Sequence, residues 1–491
     1  MSAATGLWLL SFAIPRLGLA HYGIYVTMIA AVSPLIMLLC GIPDAVIRSV
    51  ARSLGQNDLP LAIGYAQAGS LLIAIGALLS TIIAALLLPI GSHLVLGTPD
   101  STDTAFPILN CAFAVAATML AQHLSTVPSS ILSAMQRFRA LSLCVMIQTV
   151  VTAASQVFAI ENGFGISGFA WGAAIGSAIS LVMRLIAIGV PSGFSWFVPR
   201  IRSRAFRELL VFGRWQSVAQ LGGAAAAQAE RICLAGLLGP AATTNFDLCV
   251  KAQTPLYTIV WQATQSLFPF LSGRASEGVG PNVLRTMRAT WISTGATAIA
   301  LIPLGGFSTQ ILTLWMGADI ALAAAPIMTV LAVAGVVGAA TNAPYQFLLA
   351  MGNTKTLATV SILTGLASIV SVLILIPILG LRGAGLPALI AMIVQWAYVN
   401  HVISKIGERS FRETAAGSAG PIAAAALMIA GLKTIEVALP SGSIGGIAAC
   451  IGFGLMILLT YQSLRRTRAG RQGVIDLREM CGLLKSTRRV A

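Results

Sequence analysis

Six polar side chains in the middle of the chain define the chemistry it can do. A step of 100° per residue from Asp247 brings Lys251, Thr254, Thr258, Gln262 and Gln265 onto one narrow helical face. Leu248, Val250, Leu256, Ile259, Val260, Leu267 and Phe268 fall elsewhere. The segment is otherwise apolar enough to lie in a membrane, where a charge near mid-bilayer costs at least ~2.5 kcal/mol. A face with two charges and four neutral polar groups must therefore look inward, toward water or partner groups. Such a face can bind a polar cargo; helix–helix hydrogen bonding is the plainer use of Thr and Gln. Asp247 and Lys251 stand four apart and can pair, which makes that end of the face partly self-neutralising.

Two other charge sets accompany it. Arg214 lies in the first turns of the preceding apolar segment, with Gln216, Gln220 and Arg231 at neighbouring angles and Glu230 beside Arg231. Glu230 and Arg231 approach the outer surface, where long side chains snorkel to headgroup level, so a structural or gating role is expected of them. Asp44, Arg48 and Arg52 step i, i+4, i+8 along the cytoplasmic end of the second segment, either at a cavity mouth or as interface anchors. Arginine facing a cavity suits phosphate, which its planar fork pairs bidentately. The substrate-cavity candidates are Arg48, Arg214, Gln220, Asp247, Lys251, Thr254, Thr258, Gln262 and Gln265, and Asp44, Arg52, Glu230 and Arg231 are structural or gating candidates. Catalytic chemistry has no comparable signature. His21, His93, His123 and His401 are far apart, the seven cysteines have no metal-ligand spacing, and neither a nucleophile elbow nor a phosphate loop occurs. No catalytic, metal or cofactor site is expected. A carrier fits better than a channel, since there is no filter-like loop, and better than an enzyme, since no acid–base pair stands at a surface.

The elements that must position these groups are membrane helices. Hydrophobic residues make up 57% of the 491, and only 9% are charged, against about 25% in soluble domains. Fourteen apolar segments can be laid out, roughly 3–15, 24–43, 61–89, 105–133, 140–160, 166–190, 209–237, 243–271, 288–316, 320–349, 357–379, 384–403, 416–435 and 441–463. The fold class is an all-α polytopic membrane protein. The first segment is short of the ~20 residues a crossing needs, so either Met1 is not the natural start or the first helix is a stub. It lacks the basic n-region and cleavage site of a signal peptide. Basic residues fall at alternate breaks: Arg48 and Arg52; Arg137 and Arg139; Arg200, Arg202, Arg204 and Arg207; Arg274, Arg285 and Arg288; Lys355; Lys405, Arg409 and Arg412; and the tail from Arg465. The other breaks hold Arg16, Arg382 and Lys433 beside Asp100, Asp103, Glu161, Asp319 and Glu436. By the positive-inside rule both termini are cytoplasmic, and the number of spans is even. The net charge of +15 is then explained by anionic lipid headgroups at cytoplasmic loops, with no nucleic acid partner.

The halves of the chain echo each other. Leu17-Gly18 aligns with Leu238-Gly239, and Arg52 with Arg274 at an offset one residue different. Both copies cross in the same direction, as in a parallel repeat. The organisation expected is an N-terminal bundle over 1–190, a basic linker over 191–208, a C-terminal bundle over 209–403, two more helices over 404–463 and a basic tail over 464–491. The stretch GISGFAWGAAIGSAIS from Gly165 offers small residues for close helix packing. Pro34, Pro128, Pro255, Pro326 and Pro344 are candidate breaks or bends within spans.

The segments LGLAHYGIY from Leu17 and IRSVARSLG from Ile47, and the second-half ELLVFGRWQSVAQ and LLGPAATTNFDLCVKAQTPLYTIVWQATQSLFPFLSG, resemble the bacterial Wzx-like polysaccharide transporters. These are lipid-linked oligosaccharide flippases of the multidrug/oligosaccharidyl-lipid/polysaccharide (MOP) exporter superfamily. The similarity covers at least residues 16–403. It implies two six-helix bundles in an inward- or outward-open V with two added C-terminal helices. It also implies alternating-access movement of an isoprenoid-diphosphate-linked oligosaccharide to the periplasmic leaflet of the bacterial inner membrane, with proton or sodium coupling and polysaccharide assembly proteins as partners. Gly18, Tyr22, Gly23, Tyr25, Gly239, Phe246 and Pro269 match the family pattern and look structural. Thr244 stands where a glycine would echo Gly23. An ion-coupled multidrug exporter is the neighbouring reading, and a membrane glycan polymerase or transferase the unlike one.

Overall fold

The computed structural model describes residues 2–38, 41–96, 102–188, 203–273 and 278–438. The described chain is all-α. The first group of helices is α1 (Ser2–Leu17), α2 (Leu19–Leu38), α3 (Gly41–Gly55), α4 (Leu59–Leu96), α5 (Thr102–Ala134), α6 (Phe138–Glu161), α7 (Gly165–Ile188) and α8 (Ser203–Leu238). Then follow α9 (Pro240–Gln265), α10 (Leu267–Gly273), α11 (Val279–Gly306), α12 (Ser308–Met316), α13 (Ala318–Ala339), α14 (Asn342–Ala350), α15 (Thr354–Leu379), α16 (Leu386–Ile406) and α17 (Phe411–Ala438). A short 3-10 turn, Gly380–Gly383, joins α15 to α16. Ten spans among the described residues are long and apolar enough to cross a membrane. The protein is therefore a multi-pass membrane protein. The polar helices α8 and α9 are not among the ten, although their 36 and 26 residues suffice in length.

The chain divides into two compact units, Met1–Thr244 and Asn245–Ala491. In the first, α3 is amphipathic. Ile42, Ala45, Val46 and Val50 enter a core with Ala66 and Ile73 of α4, Ile131 and Leu132 of α5, and Leu209 of α8. Helices α6 and α7 approach through glycine. A Cβ on Gly172 would lie 2.7 Å from the Gln156 side chain, and one on Gly176 only 1.9 Å from Thr152 Oγ1. Backbone contact of this kind replaces the hydrophobic drive that lipid removes. In the second unit, Leu267 and Leu271 of α10 pack with Val283 of α11, Phe347 of α14, Val360 of α15 and Ile403 of α16. Helix α17 belongs to this unit's packing, since Gly305 and Gly306 of α11 meet Ile429 and Leu432.

The repeat has a backbone signature. Gly18 and Gly239 end α1 and α8 in the left-handed region, at φ 85° and 89°, where an L side chain would be strained. Asn57 pairs with Gly278, and Gly163 with Gly385, at the same chain offset to within one residue, and all four also have positive φ. Arg274, the expected mate of Arg52, lies outside the described residues. The Gly23-to-Thr244 departure has a packing reason. A Cβ on Gly23 would fall 1.9 Å from the Pro240 carbonyl oxygen and 2.9 Å from Thr244 Oγ1, and that hydroxyl donates to the Leu19 carbonyl at 2.7 Å. One glycine suffices for the approach, and the threonine fills the other side.

Several boundaries differ from the sequence expectation. The division between units falls at Thr244, not at 209, because α8 packs on α2, α3 and α4. The last residues of the expected linker, from Ser203, already form the start of α8. The ninth span is interrupted at Phe307 and the tenth at Ala340–Thr341. Pro34, Pro128, Pro255 and Pro326 lie inside continuous helices, while Pro344 sits just after the Thr341 break. Segment 441–463 and the tail 464–491 lie outside the described residues.

Candidate functional site

Helix α9 presents the polar stripe in a form that can meet a cargo. Asp247 is buried and receives Lys251 Nζ at 3.1 Å, while the lysine side chain is 42% exposed. The charge of Asp247 is thus neutralised from within the helix, and the ammonium keeps an accessible side. Thr254, Gln262 and Gln265 are exposed and Thr258 is half-buried. The Thr254 hydroxyl donates to the Val250 carbonyl and that of Thr258 to the Thr254 carbonyl, both at 2.7 Å. Each hydroxyl proton is satisfied within the helix, and the oxygen keeps lone pairs for an outside donor.

The other face of α9 fixes it to the second unit. Leu248 and Cys249 are fully buried, and Cys249 Sγ lies 3.3 Å from the Ala324 carbonyl of α13. Gln253 lies against Gly335, where a Cβ would come within 2.1 Å of its Nε2. The Tyr257 hydroxyl donates to Asn342 Oδ1 at 2.8 Å, and Gln395 Nε2 donates to Thr341 Oγ1 at 2.8 Å. These bonds collect at the break between α13 and α14. Side chains from α9 and α16 thereby bond polar groups at the interrupted segment inside a span, which lipid could not do. Sequence periodicity marks the open stripe but misses Gln253, Tyr257 and Asn342. The signal for Gln253 and Tyr257 is a second polar line on α9, off the first by a quarter turn or more; Asn342, on α14, has no such signal.

The remaining candidates lie apart in the chain. Asp44, Arg48 and Arg52 are all exposed on α3, opposite its buried apolar face. Glu230 is buried near the end of α8; Arg231 is half-buried and donates to Gln228 Oε1 at 2.9 Å and to the Ala227 carbonyl at 3.1 Å. The Thr243 hydroxyl donates to the Arg231 carbonyl at 3.2 Å, tying the end of α8 to the start of α9. Arg214 and Gln220 lie within α8, and their side chains are outside the described residues. Among the described residues no group of three or more His, Cys, Asp or Glu side chains could hold a metal ion.

A multi-pass helical protein in two units, with polar helices that no lipid face would tolerate, has the fold of the MOP-superfamily membrane transporters. The lipid II flippase MurJ, in an inward-closed conformation, superposes with a TM-score of 0.72 at 13% identity, covering 95% of this chain and 98% of MurJ. An inward-facing multidrug resistance MATE transporter of the MOP superfamily gives 0.63 at 17% identity, over 83% of this chain and 95% of its own. A MOP-superfamily transporter from Pyrococcus furiosus with a binding pocket of reverse polarity gives 0.55 at 14%, over 83% and 96%. No curated protein sequence matches the chain. The profile of the polysaccharide biosynthesis protein family matches residues 14–273, more than half of the sequence, and the chain belongs to that family.

Proposed function

We infer that the protein moves an isoprenoid-diphosphate-linked oligosaccharide from the cytoplasmic to the periplasmic leaflet of the inner membrane by alternating access. The observation that carries this reading is the accessible Lys251, held beside buried Asp247, above exposed Thr254, Gln262 and Gln265 on α9. A cation at one end of a hydroxyl and amide stripe matches a diphosphate followed by sugars, while the isoprenoid tail stays in lipid. Family membership supports a glycan cargo over a drug, and Arg48, Arg214 and Gln220 are proposed to extend the polar route. Both termini are placed in the cytoplasm by the charge pattern, with anionic lipids at the basic loops. A proton or sodium gradient drives the cycle in this reading, which involves no catalytic step, and polysaccharide assembly proteins supply and receive the cargo.

The test is leaflet transfer of a fluorescent isoprenoid-diphosphate oligosaccharide in proteoliposomes, with and without imposed proton and sodium gradients. Transfer should require the protein, and gradient dependence would identify the driving ion. Lys251→Ala with Arg214→Ala should lower the rate about a hundredfold to ten-thousandfold at normal membrane abundance, since charge-assisted contacts contribute about 1.5–3 kcal/mol each. Undiminished transfer by the folded double variant would remove both residues from the site. Failure across a varied glycan panel, beside a working control flippase, would favour drug export.

A further inference from the structure

The first unit holds a cavity of about 1110 Å³ to which the α9 stripe contributes nothing. Its wall comes from α1, α2, α5, α6 and α7, with Leu17, Ile24, Phe158, Phe164, Trp171 and Ile175 among its apolar members. Several polar groups of that wall are already engaged. Trp171 Nε1 donates to Asn110 Oδ1 at 3.0 Å, and the Ser167 hydroxyl donates to the Pro107 carbonyl at 2.9 Å. His21 Nδ1 lies 3.0 Å from the Leu17 carbonyl of the preceding turn. Such a wall gives a sugar or a hydrated ion little to bind, and it suits a hydrocarbon chain. The volume exceeds the ~300–1,000 Å³ of pockets that enclose a drug-sized ligand, so an acyl chain fits inside with its headgroup at the rim.

Two opposite charges stand at that rim. Arg16, exposed at the end of α1, lines the cavity, with its guanidinium carbon 3.8 Å from the centre of the Phe12 ring. Its Nη1 donates to the Phe12 carbonyl at 3.1 Å, while Nε and Nη2 make no hydrogen bond among the described residues. Glu161 is exposed at the end of α6, a helix that packs on α1. At 3.6 residues per turn it falls about 20° from Ala154 and about 60° from Phe158, and both of these line the cavity. Arg16 and Glu161 pair neither with each other nor with another charged side chain among the described residues. They stand at the end of the bundle opposite to the Arg137–Ala187 contact, where α6 begins and α7 ends. A guanidinium forks onto phosphate, and a carboxylate accepts from an ammonium. A headgroup with one phosphate and one primary ammonium satisfies both charges. A purely anionic headgroup would leave the carboxylate facing a second negative charge, and a quaternary ammonium has no N–H to donate.

We propose that this cavity seats one acyl chain of an aminophospholipid of the phosphatidylethanolamine type, with Arg16 on its phosphate and Glu161 on its ammonium. The leaflet, the outer one, follows from the proposed topology; the binding itself depends on neither topology nor transport. The test uses the full chain in nanodiscs of phosphatidylcholine doped with phosphatidylethanolamine that carries a diazirine in its acyl chain. Photolabelling should saturate and map to α6 and α7 around Phe158 and Ile175. Unlabelled phosphatidylethanolamine should compete, phosphatidylglycerol less well, and phosphatidylcholine or inorganic phosphate at equal ionic strength not at all. Arg16→Gln should weaken binding about fivefold, with Arg16→Lys restoring most of it, and Glu161→Gln should erase the preference over phosphatidylglycerol. Ala154→Trp places bulk at an exposed wall position and should block labelling with both charges intact, which serves where a charge variant fails to fold. Equal competition by phosphatidylcholine would leave only an unspecific apolar groove and overturn the proposal. Competition by inorganic phosphate would reassign the rim to a free anion and overturn it as well. So would phosphatidylglycerol competing as well as phosphatidylethanolamine in the parent, unchanged binding in folded Arg16→Gln, or labelling that survives in folded Ala154→Trp.

Discussion

At Gly176 the missing side chain is itself the contact. Thr152 of the neighbouring helix occupies the place of a Cβ, so Gly176→Val must push α6 and α7 apart or bend a rotamer. Overpacking of this kind costs about 1–3 kcal/mol, and thermal unfolding of the purified variant should show a lowered midpoint. Gly431 is the control, because a Cβ there meets nothing within 4 Å, and Gly431→Ala should leave the midpoint unchanged. Tyr257 tests a different kind of contact. Its hydroxyl serves Asn342, whose Nδ2 already makes no hydrogen bond among the described residues. Tyr257→Phe leaves the amide oxygen without this donor, at a cost of about 1–3 kcal/mol. The same unfolding measurement should register the loss.

Among the elements, α9 is the one whose two faces do different work, and Asp247 separates them. Lys251→Ala should destabilise the protein because it removes a countercharge 3.1 Å from a buried carboxylate. Adding Asp247→Asn should recover most of the lost stability, whereas Thr254→Ala, at an exposed position, should change it little. A double variant as unstable as Lys251→Ala alone would mean that the lysine stabilises through other contacts. This stripe was legible in the sequence because polar groups in an apolar run stand out at helical period. The breaks at Phe307 and Ala340–Thr341 were not, since hydropathy reads an uninterrupted apolar run on both sides. What permits the Thr341 break is tertiary: Gln395 and Tyr257 bring partners from distant helices. Four of the five prolines do not break their helices, because the helix continues through them.

For the molecule as a whole, the charge pattern makes a map that labelling can check. In a cysteine-free background, Asn57→Cys and Glu408→Cys lie at basic breaks and should react with an impermeant maleimide only after the inner membrane is opened. Asn162→Cys and Asp319→Cys lie at the opposite breaks and should react in cells whose outer membrane alone is permeable. A reversed pattern would invert the topology without touching the helices themselves. The recurrence of left-handed residues at matching offsets has a consequence for how such a protein can be assembled. The repeat boundary lies between α7 and α8, yet α8 packs on α2, α3 and α4 of the first unit. A gene cut between the codons for Ile188 and Ser203 would leave α8 at the head of the second product, and that product would carry the surface by which it finds the first. Two half-length ancestors, or two co-expressed fragments today, would thus need no fused chain to recognise each other.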